Sequence, residues 1–383
     1  MRKTIQTWMI AMLVVLVAAA CGAPAKDGAN GSNAGSAKQE GGQSDSGNDD
    51  KEEPSAAEEP TPAPTPEYPS SFDIGDVLVF PNQYEIRMVS QQTATKVVPP
   101  NPDDYYTYYE VKETDKIYVH TVFNVKNLSG DSVAADEVMD VKVVYDGKYE
   151  YSAFSTIEER GGGDFTYTNI TGIAPLTEGV LHFLAEVPLE VKDSGKPVEV
   201  IVSANGLEIT GTGNESEGQR LVMGEEIELQ AKTAWKQYAP LAAGEPVTEE
   251  DYAELTVLDA EFATKVVPPK ASGYYSYYEV KEPAHTYAHV SFAFKNLATA
   301  GKVADEAINV RLVYDNKYEY RGFSAIEENN GADFTYSNIT NIDPLTTGRL
   351  HYLIEVPAEV ETSGQPVVLV VQMNETNYYY EMK

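Results

Sequence analysis

From 118 to 126 the chain alternates: Val119, Thr121, Phe123 and Val125 share one face, with Tyr118, His120 and Asn124 on the other. A period of two predicts a strand laid on a core by one face. Met139, Val141, Val143 and Tyr145 predict a second strand. It runs into Asp146-Gly147, a favoured two-residue hairpin turn, and returns along Tyr149, Glu150 and Tyr151. Leu181, Phe183, Ala185 and Val187 predict a third strand, stopped by Pro188, and 198–202 is apolar on both faces, as a central strand would be. Helical periodicity is nearly absent. Only 248–251, Thr-Glu-Glu-Asp before Tyr252, has the spacing of a helix cap and predicts one short helix.

The same pattern is used twice. Residues 84–205 recur at 253–374 with a constant offset of 169 and no gap, and 65 of the 122 positions are identical. Thr-Lys-Val-Val-Pro-Pro at 95–100 returns at 264–269, and Tyr-Tyr-Thr-Tyr-Tyr-Glu-Val-Lys-Glu at 105–113 returns, with one Thr-to-Ser change, at 274–282. The apolar face of the first strand returns as Ala288, Val290, Phe292 and Phe294, and the hairpin turn as Asp315-Asn316. Each repeat also has a glycine-led opening segment, Gly75 to Leu78 and Gly224 to Ile227, which predicts an opening strand. Short strands separated by turn residues predict an all-β chain of two tandem immunoglobulin-like antiparallel β-sandwich domains, placed at 70–214 and 219–383. Each is long enough to close its own core.

The order of local signatures adds a resemblance. Tyr-x-His, Lys-Asn-Leu at 126–128 and 295–297, Val-Tyr-Asp, Lys-Tyr-Glu-Tyr, Ile-x-Pro-Leu, Leu-His-Phe/Tyr and Glu-Val-Pro succeed one another in both copies. This is similar to the telokin-like, immunoglobulin-like repeat domains of uncharacterised surface lipoproteins from Gram-positive bacteria. The resemblance implies a fold and a cell-surface setting and transfers no catalytic residue.

The N-terminus agrees with that setting. Arg2 and Lys3 precede an apolar stretch, 8–20, too short for a comfortable membrane span, and Ala18-Ala19-Ala20 leads into Cys21. This resembles the lipobox of bacterial lipoproteins, with alanine where leucine is usual. Residues 1–21 are therefore expected to be a signal peptide ending at a lipidated cysteine, holding the chain on the extracellular face of the membrane. Cys21 is the only cysteine, so no disulfide is expected. Residues 22–69 are Gly, Ala, Ser, Pro and acidic residues almost throughout. They predict a disordered tether reaching roughly 40 Å root-mean-square.

Charge then narrows the partners. The net charge is −32, of which the tether carries −7 and the leader +2, leaving −27 on the repeats. Such a surface repels nucleic acid and anionic polymers. No nucleophile elbow, His-Glu-x-x-His or phosphate-cradling loop is present, and a non-enzymatic role in extracellular binding or envelope assembly is expected. Tyrosine is the unusual residue, 26 against 11 Phe and 2 Trp. Tyr105, Tyr106, Tyr108 and Tyr109, with Tyr274, Tyr275, Tyr277 and Tyr278, follow a Pro-Pro break and are candidates for contacting a carbohydrate, peptidoglycan or protein partner. The alternative is that alternate rings turn inward and pack. Glu158, Glu159 and Asp164, repeated as Glu327, Glu328 and Asp333 around a loop with Asn169 or Asn338, are candidate calcium ligands. Asp136-Glu137 and Asp305-Glu306 are a weaker set. His120 and His182, repeated as His289 and His351, could share a metal only if they met across strands; cross-strand polar pairing is the plainer expectation. His182 and Glu186, four apart on one strand, sit roughly 13 Å apart and cannot do so alone.

Overall fold

A computed structural model describes residues 67–383. The expected leader, Cys21 and all but the last residues of the expected tether lie outside the described residues.

Strand Lys116–Asn127 lies at the centre of the first repeat, between Tyr84–Ala94 and Glu178–Pro188, antiparallel to both. Around it a seven-stranded sheet is completed by Phe154–Glu158 and Phe165–Thr166 on one side and by Val77–Phe80 and Arg220–Val222 on the other. A five-stranded sheet faces it, with Val198–Ala204 in the middle, as its two-sided apolar character requires. Val119, Phe123 and Val125 enter the core between the sheets with Ile86, Leu181, Val200 and Val202. The second repeat builds a six-stranded and a five-stranded sheet in the same way around His285–Asn296, over Phe292, Phe294, Leu350 and Leu369. The chain is an all-β pair of sandwiches. Among the described residues, α-helix is confined to the short segments Glu190–Asp193 and Ala358–Thr362.

Local sequence explains the joints. Asp146 and Gly147 turn with φ of 58° and 62°, and Asp315 and Asn316 with 50° and 55°, the double positive φ of a tight hairpin. A bulge interrupts Tyr84–Ala94 between Met88 and Ser90 and recurs between Val257 and Asp259. The inserted residues, Val89 and Leu258, turn outward. The bulge resets the alternation, which brings Gln92 opposite His120 and Glu261 opposite His289.

Three expectations need correction. Gly224 to Ile227 forms no strand; the second repeat opens with Pro246–Glu249 paired to Ala253–Ala263. Residues 248–251 are therefore the end of that strand and a turn at Asp251 with φ of 59°, where a helix was expected. Pairing with Ala253–Thr256 satisfies the backbone of this segment as a strand. The first sandwich also extends beyond 214, because Arg220–Val222 adds in parallel to Val77–Phe80 and Met223 is buried in the first core. A parallel edge strand recruited from far along the chain has no local signature.

The repeats touch through unlike surfaces. Arg160, on loop 159–164 of the first, is ion-paired with Glu355 of the second. Gly161 N–H donates to Glu282 Oε1 at 2.9 Å, and Glu319 N–H donates to Gly130 O at 2.8 Å. Ala174 and Leu176 pack against the second core. A Cβ at Gly130 would fall 2.5 Å from Lys317 O, so no larger residue permits this approach. Burial alone would raise the Glu355 pKa, but His285 and Arg160 together hold it below the usual carboxylate value.

Candidate functional site: two tyrosine arms

The second face of strand Lys116–Asn127, which bears Tyr118, His120 and Asn124, is covered. Tyr118, Phe165, Leu184 and Val97 form a small cluster there, and Val266, Tyr287, Phe334 and Leu353 form its counterpart. The covering element is the segment bearing the tyrosines. Lys96–Val97 pairs with Tyr109–Glu110, so that Val97 and Tyr109 close the base of an arm whose tip is 98–108. The two prolines at 99 and 100 donate no N–H and end the ladder, which frees the tip from the sheet.

Backbone contacts then hold the tip against loop 159–164. Asn101 N–H donates to Gly162 O and Asp103 N–H to Gly163 O, both at 3.0 Å. Asp164 Oδ1 accepts from Thr107 N–H at 2.6 Å and from Phe165 N–H at 2.7 Å. In the second repeat Asp333 Oδ1 accepts from Ser276 at 2.7 Å and Phe334 at 2.8 Å. The bond from Thr107, or from Ser276, is the main reason each carboxyl sits below its usual pKa. These aspartates anchor the arms.

Four rings of each arm divide by role. Tyr109 and Tyr278 are half-buried, 5.0 Å from Phe154 and 4.9 Å from Phe323 between ring centroids. Tyr105 and Tyr274 stand fully in solvent. Between these extremes, Tyr106 and Tyr275 are 36% and 38% exposed, and Tyr108 and Tyr277 are 49% and 50%. Lys96 Nζ lies 4.1 Å above the Tyr108 ring and Lys265 Nζ 4.0 Å above Tyr277, a cation–π contact that fixes each ring. In the second repeat Tyr275, Tyr277, Tyr278, Phe334 and Tyr336 border a recess of about 510 Å³. Tyr336 and its counterpart Tyr167, 70% and 71% exposed, were not among the sequence candidates, and neither were the exposed Ile339 and Ile170. The signal that could have found them is retention: Tyr, Asn, Ile and Thr at 167 and 169–171 recur unchanged at 336 and 338–340.

The carboxylates proposed as calcium ligands do not converge. Asp164 and Asp333 are committed to the arms, Glu159 and Glu328 point to solvent, and Glu158 and Glu327 serve histidines. Among the described residues no group of three His, Cys, Asp or Glu side chains is placed to hold a metal ion, and Asp136-Glu137 and Asp305-Glu306 belong to none.

The histidines do meet across strands. His120 Nε2 lies 2.8 Å from His182 Nδ1, and His182 Nε2 lies 2.7 Å from Glu158 Oε1. His289, His351 and Glu327 repeat the file at 2.9 and 3.0 Å. With the carboxylate accepting from His182, the neutral file runs one way, His120 Nε2–H donating to His182 Nδ1. His120 Nδ1 is then left without a partner among the described residues, facing the side of Gln92. Its counterpart His289 Nδ1 faces Glu261 Oε1 at 3.4 Å. Burial, then His182, pushes His120 down to about 4. Burial also lowers His289 and His351, opposed by Glu261 and Glu327 respectively. Phe165 and Phe334 lie edge-on to His182 and His351 at 4.9 and 4.8 Å, so the file supports the base of each arm.

No family model matches the chain, and no curated protein does. Among solved structures, an uncharacterized β-sandwich protein from Clostridium difficile 630 aligns over 100% of its own length with 42% of this chain, at 27% identity and a TM-score of 0.36. So low a score carries no argument; the sandwich fold rests on the strands themselves.

Proposed function

We propose that this is a non-enzymatic, extracellular binding protein, held at the membrane by a lipidated Cys21, that presents two copies of one aromatic recognition face. The observation that carries the reading is the behaviour of the exposed rings across the duplication. Between the copies 57 of 122 aligned positions differ. Exposed positions drift most easily, because they make few contacts that a substitution would break. Yet every tyrosine of the arm, and the flanking Tyr167 and Tyr336, is kept at matching exposure. Apart from Tyr109 and Tyr278, which pack on Phe154 and Phe323, packing does not require these rings. Recognition does, since tyrosine supplies broad apolar contact and a hydroxyl with little rotamer freedom to lose. The Cys21 anchor and the acidic tether place such faces clear of the membrane.

The test separates binding rings from packed ones. In the full chain, Tyr108→Ala with Tyr277→Ala is expected to shift the melting temperature little and to abolish retention on purified cell-wall or envelope-protein fractions. Exposed aromatic anchors contribute about 1–3 kcal/mol each at an interface. Tyr109→Ala with Tyr278→Ala should instead cost about 3–5 kcal/mol of stability, as for any packed ring. Unchanged retention by the first pair overturns the reading. Cys21→Ser is expected to release the protein or leave its leader uncleaved; a palmitate analogue still labelling that variant would refute the anchor.

A further inference from the structure

We infer that the second repeat carries a binding groove for an uncharged, hydroxyl-rich saccharide, beside its tyrosine arm and completed by Arg321 and Asn309, which the first repeat lacks. The inference rests on the recognition reading above and names a ligand class for one of the two faces. The groove encloses about 540 Å³ and shares Tyr278 and Tyr336 with the arm. That volume suits one or two pyranose rings and falls within the usual range of small-ligand sites. Tyr336 and Phe323, 70% and 43% exposed, border it and offer aromatic surface of the kind on which the C–H face of a sugar ring stacks.

Its polar groups settle the chemistry. Asp305, Asn309, Asn338 and Arg321 line the same groove, a carboxylate, two amides and a guanidinium. Asp305, Asn309 and Asn338 make no side-chain hydrogen bond to the protein among the described residues and stand free to bind. Planar groups that accept and donate side by side match vicinal hydroxyls. A purely apolar ligand would strip water from all four and return nothing, which is costly for each unpaired group. An anion is disfavoured as well. Arg321 is already bonded to Glu319 at 2.9 Å, Asp305 stands in the groove, and the repeats carry a charge of −27.

The first repeat has Ser152 where Arg321 stands and Asp140 where Asn309 stands. With Asp136 retained, its corresponding surface bears two carboxylates and no guanidinium. The saccharide site is therefore single, although the arms are double.

The test titrates the full chain, by calorimetry, with uncharged hexasaccharides of glucose and of N-acetylglucosamine, and with a hexamer of galacturonate as the anionic control. At least one uncharged hexamer is expected to bind and the galacturonate hexamer to fail. Arg321→Ser and Asn338→Ala, both exposed, should each weaken binding at least tenfold with an unchanged melting temperature, and Tyr108→Ala on the first arm should leave it intact. No uncharged hexamer binding at millimolar concentration, preference for the anionic hexamer, or indifference to both groove variants would each overturn the inference. Wall retention that survives those failures but needs Tyr108 and Tyr277 would leave the recognition reading standing. Saccharide binding lost with Arg321→Ser, in a chain whose wall retention ignores both tyrosines, would overturn that reading and keep the groove.

Discussion

In the first repeat, loop 159–164 carries Arg160, which reaches Glu355 across the junction, and the neighbouring turn carries Gly130, which lets Lys317 O approach. In the second repeat the same positions hold Asn329 and Thr299, and Ala174 becomes Asp343. The interiors of the two copies hardly differ in plan: the bulge, the hairpin turn, the histidine file and the arm anchors all recur. Core positions have been exchanged among apolar residues, as Val125 for Phe294 and Ala185 for Ile354, whereas the junction and the groove changed in chemical kind, as Arg160 for Asn329 and Ser152 for Arg321. The two copies share a scaffold and differ in the chemistry of these surfaces. Retained exposed residues then stand out as shared function, and altered ones as division of labour.

The sharpest way to break the comparison is to damage one core at a time. Phe123→Ala and Phe292→Ala remove equivalent, fully buried rings and should each cost about 3–5 kcal/mol. Calorimetry of either variant should show one transition lowered and the other held, because each sandwich closes its own core. Both transitions falling together would make the pair a single cooperative unit.

Gly130→Thr installs the second copy's residue at the junction. Forcing a side chain against Lys317 O should cost about 1–3 kcal/mol, read as loss of protection at the junction amides in hydrogen exchange. Protection equal to that of the parent protein would show that the junction is not packed as described.

The smallest effect concerns the histidine files. A buried imidazole whose folded pKa lies below its unfolded value binds protons mainly when unfolded, so stability falls with falling pH. For His120 the loss begins near the ordinary 6.5 and continues toward about 4. Gln92→Glu places a carboxylate opposite His120 and should lessen this acid loss; Glu261→Gln should deepen it for His289, whose pKa Glu261 now raises. Urea midpoints at pH 7 and pH 5 decide. Identical losses in both variants would mean that position 92 or 261 does not sense the file.

Much of the core was legible because alternation reports one-sided burial: Val119, Phe123 and Val125 point inward as their period requires. The opposite face was not legible. Tyr118 and His120 fall on the face that the alternation turns away from that core, and they are buried because an arm beginning at Val97 folds over them, a contact between segments that no local period encodes. For the same reason Arg220–Val222 was assigned to the wrong sandwich. The tyrosines were visible as a cluster, but their division into Tyr109 packed and Tyr108 exposed depends on Val97 pairing opposite Tyr109. Asp164 and Glu158 looked like ligands because sequence shows charge and not the N–H groups or histidine that already engage it.

Joining unlike surfaces carries a general hazard: a module that offers a plug at one end and a socket at the other can add copies of itself without limit. Here both loose ends are blunted. The outward plug of the second repeat bears Thr299 where only glycine fits, and the outward socket of the first has Glu186 already paired with Lys116 at 2.9 Å. Under the Cys21 anchor proposed above, chains crowded on a membrane would meet other copies constantly, in the orientation that favours filament growth. With this junction confined to one use per chain, such crowding raises the density of aromatic faces without stringing the chains together.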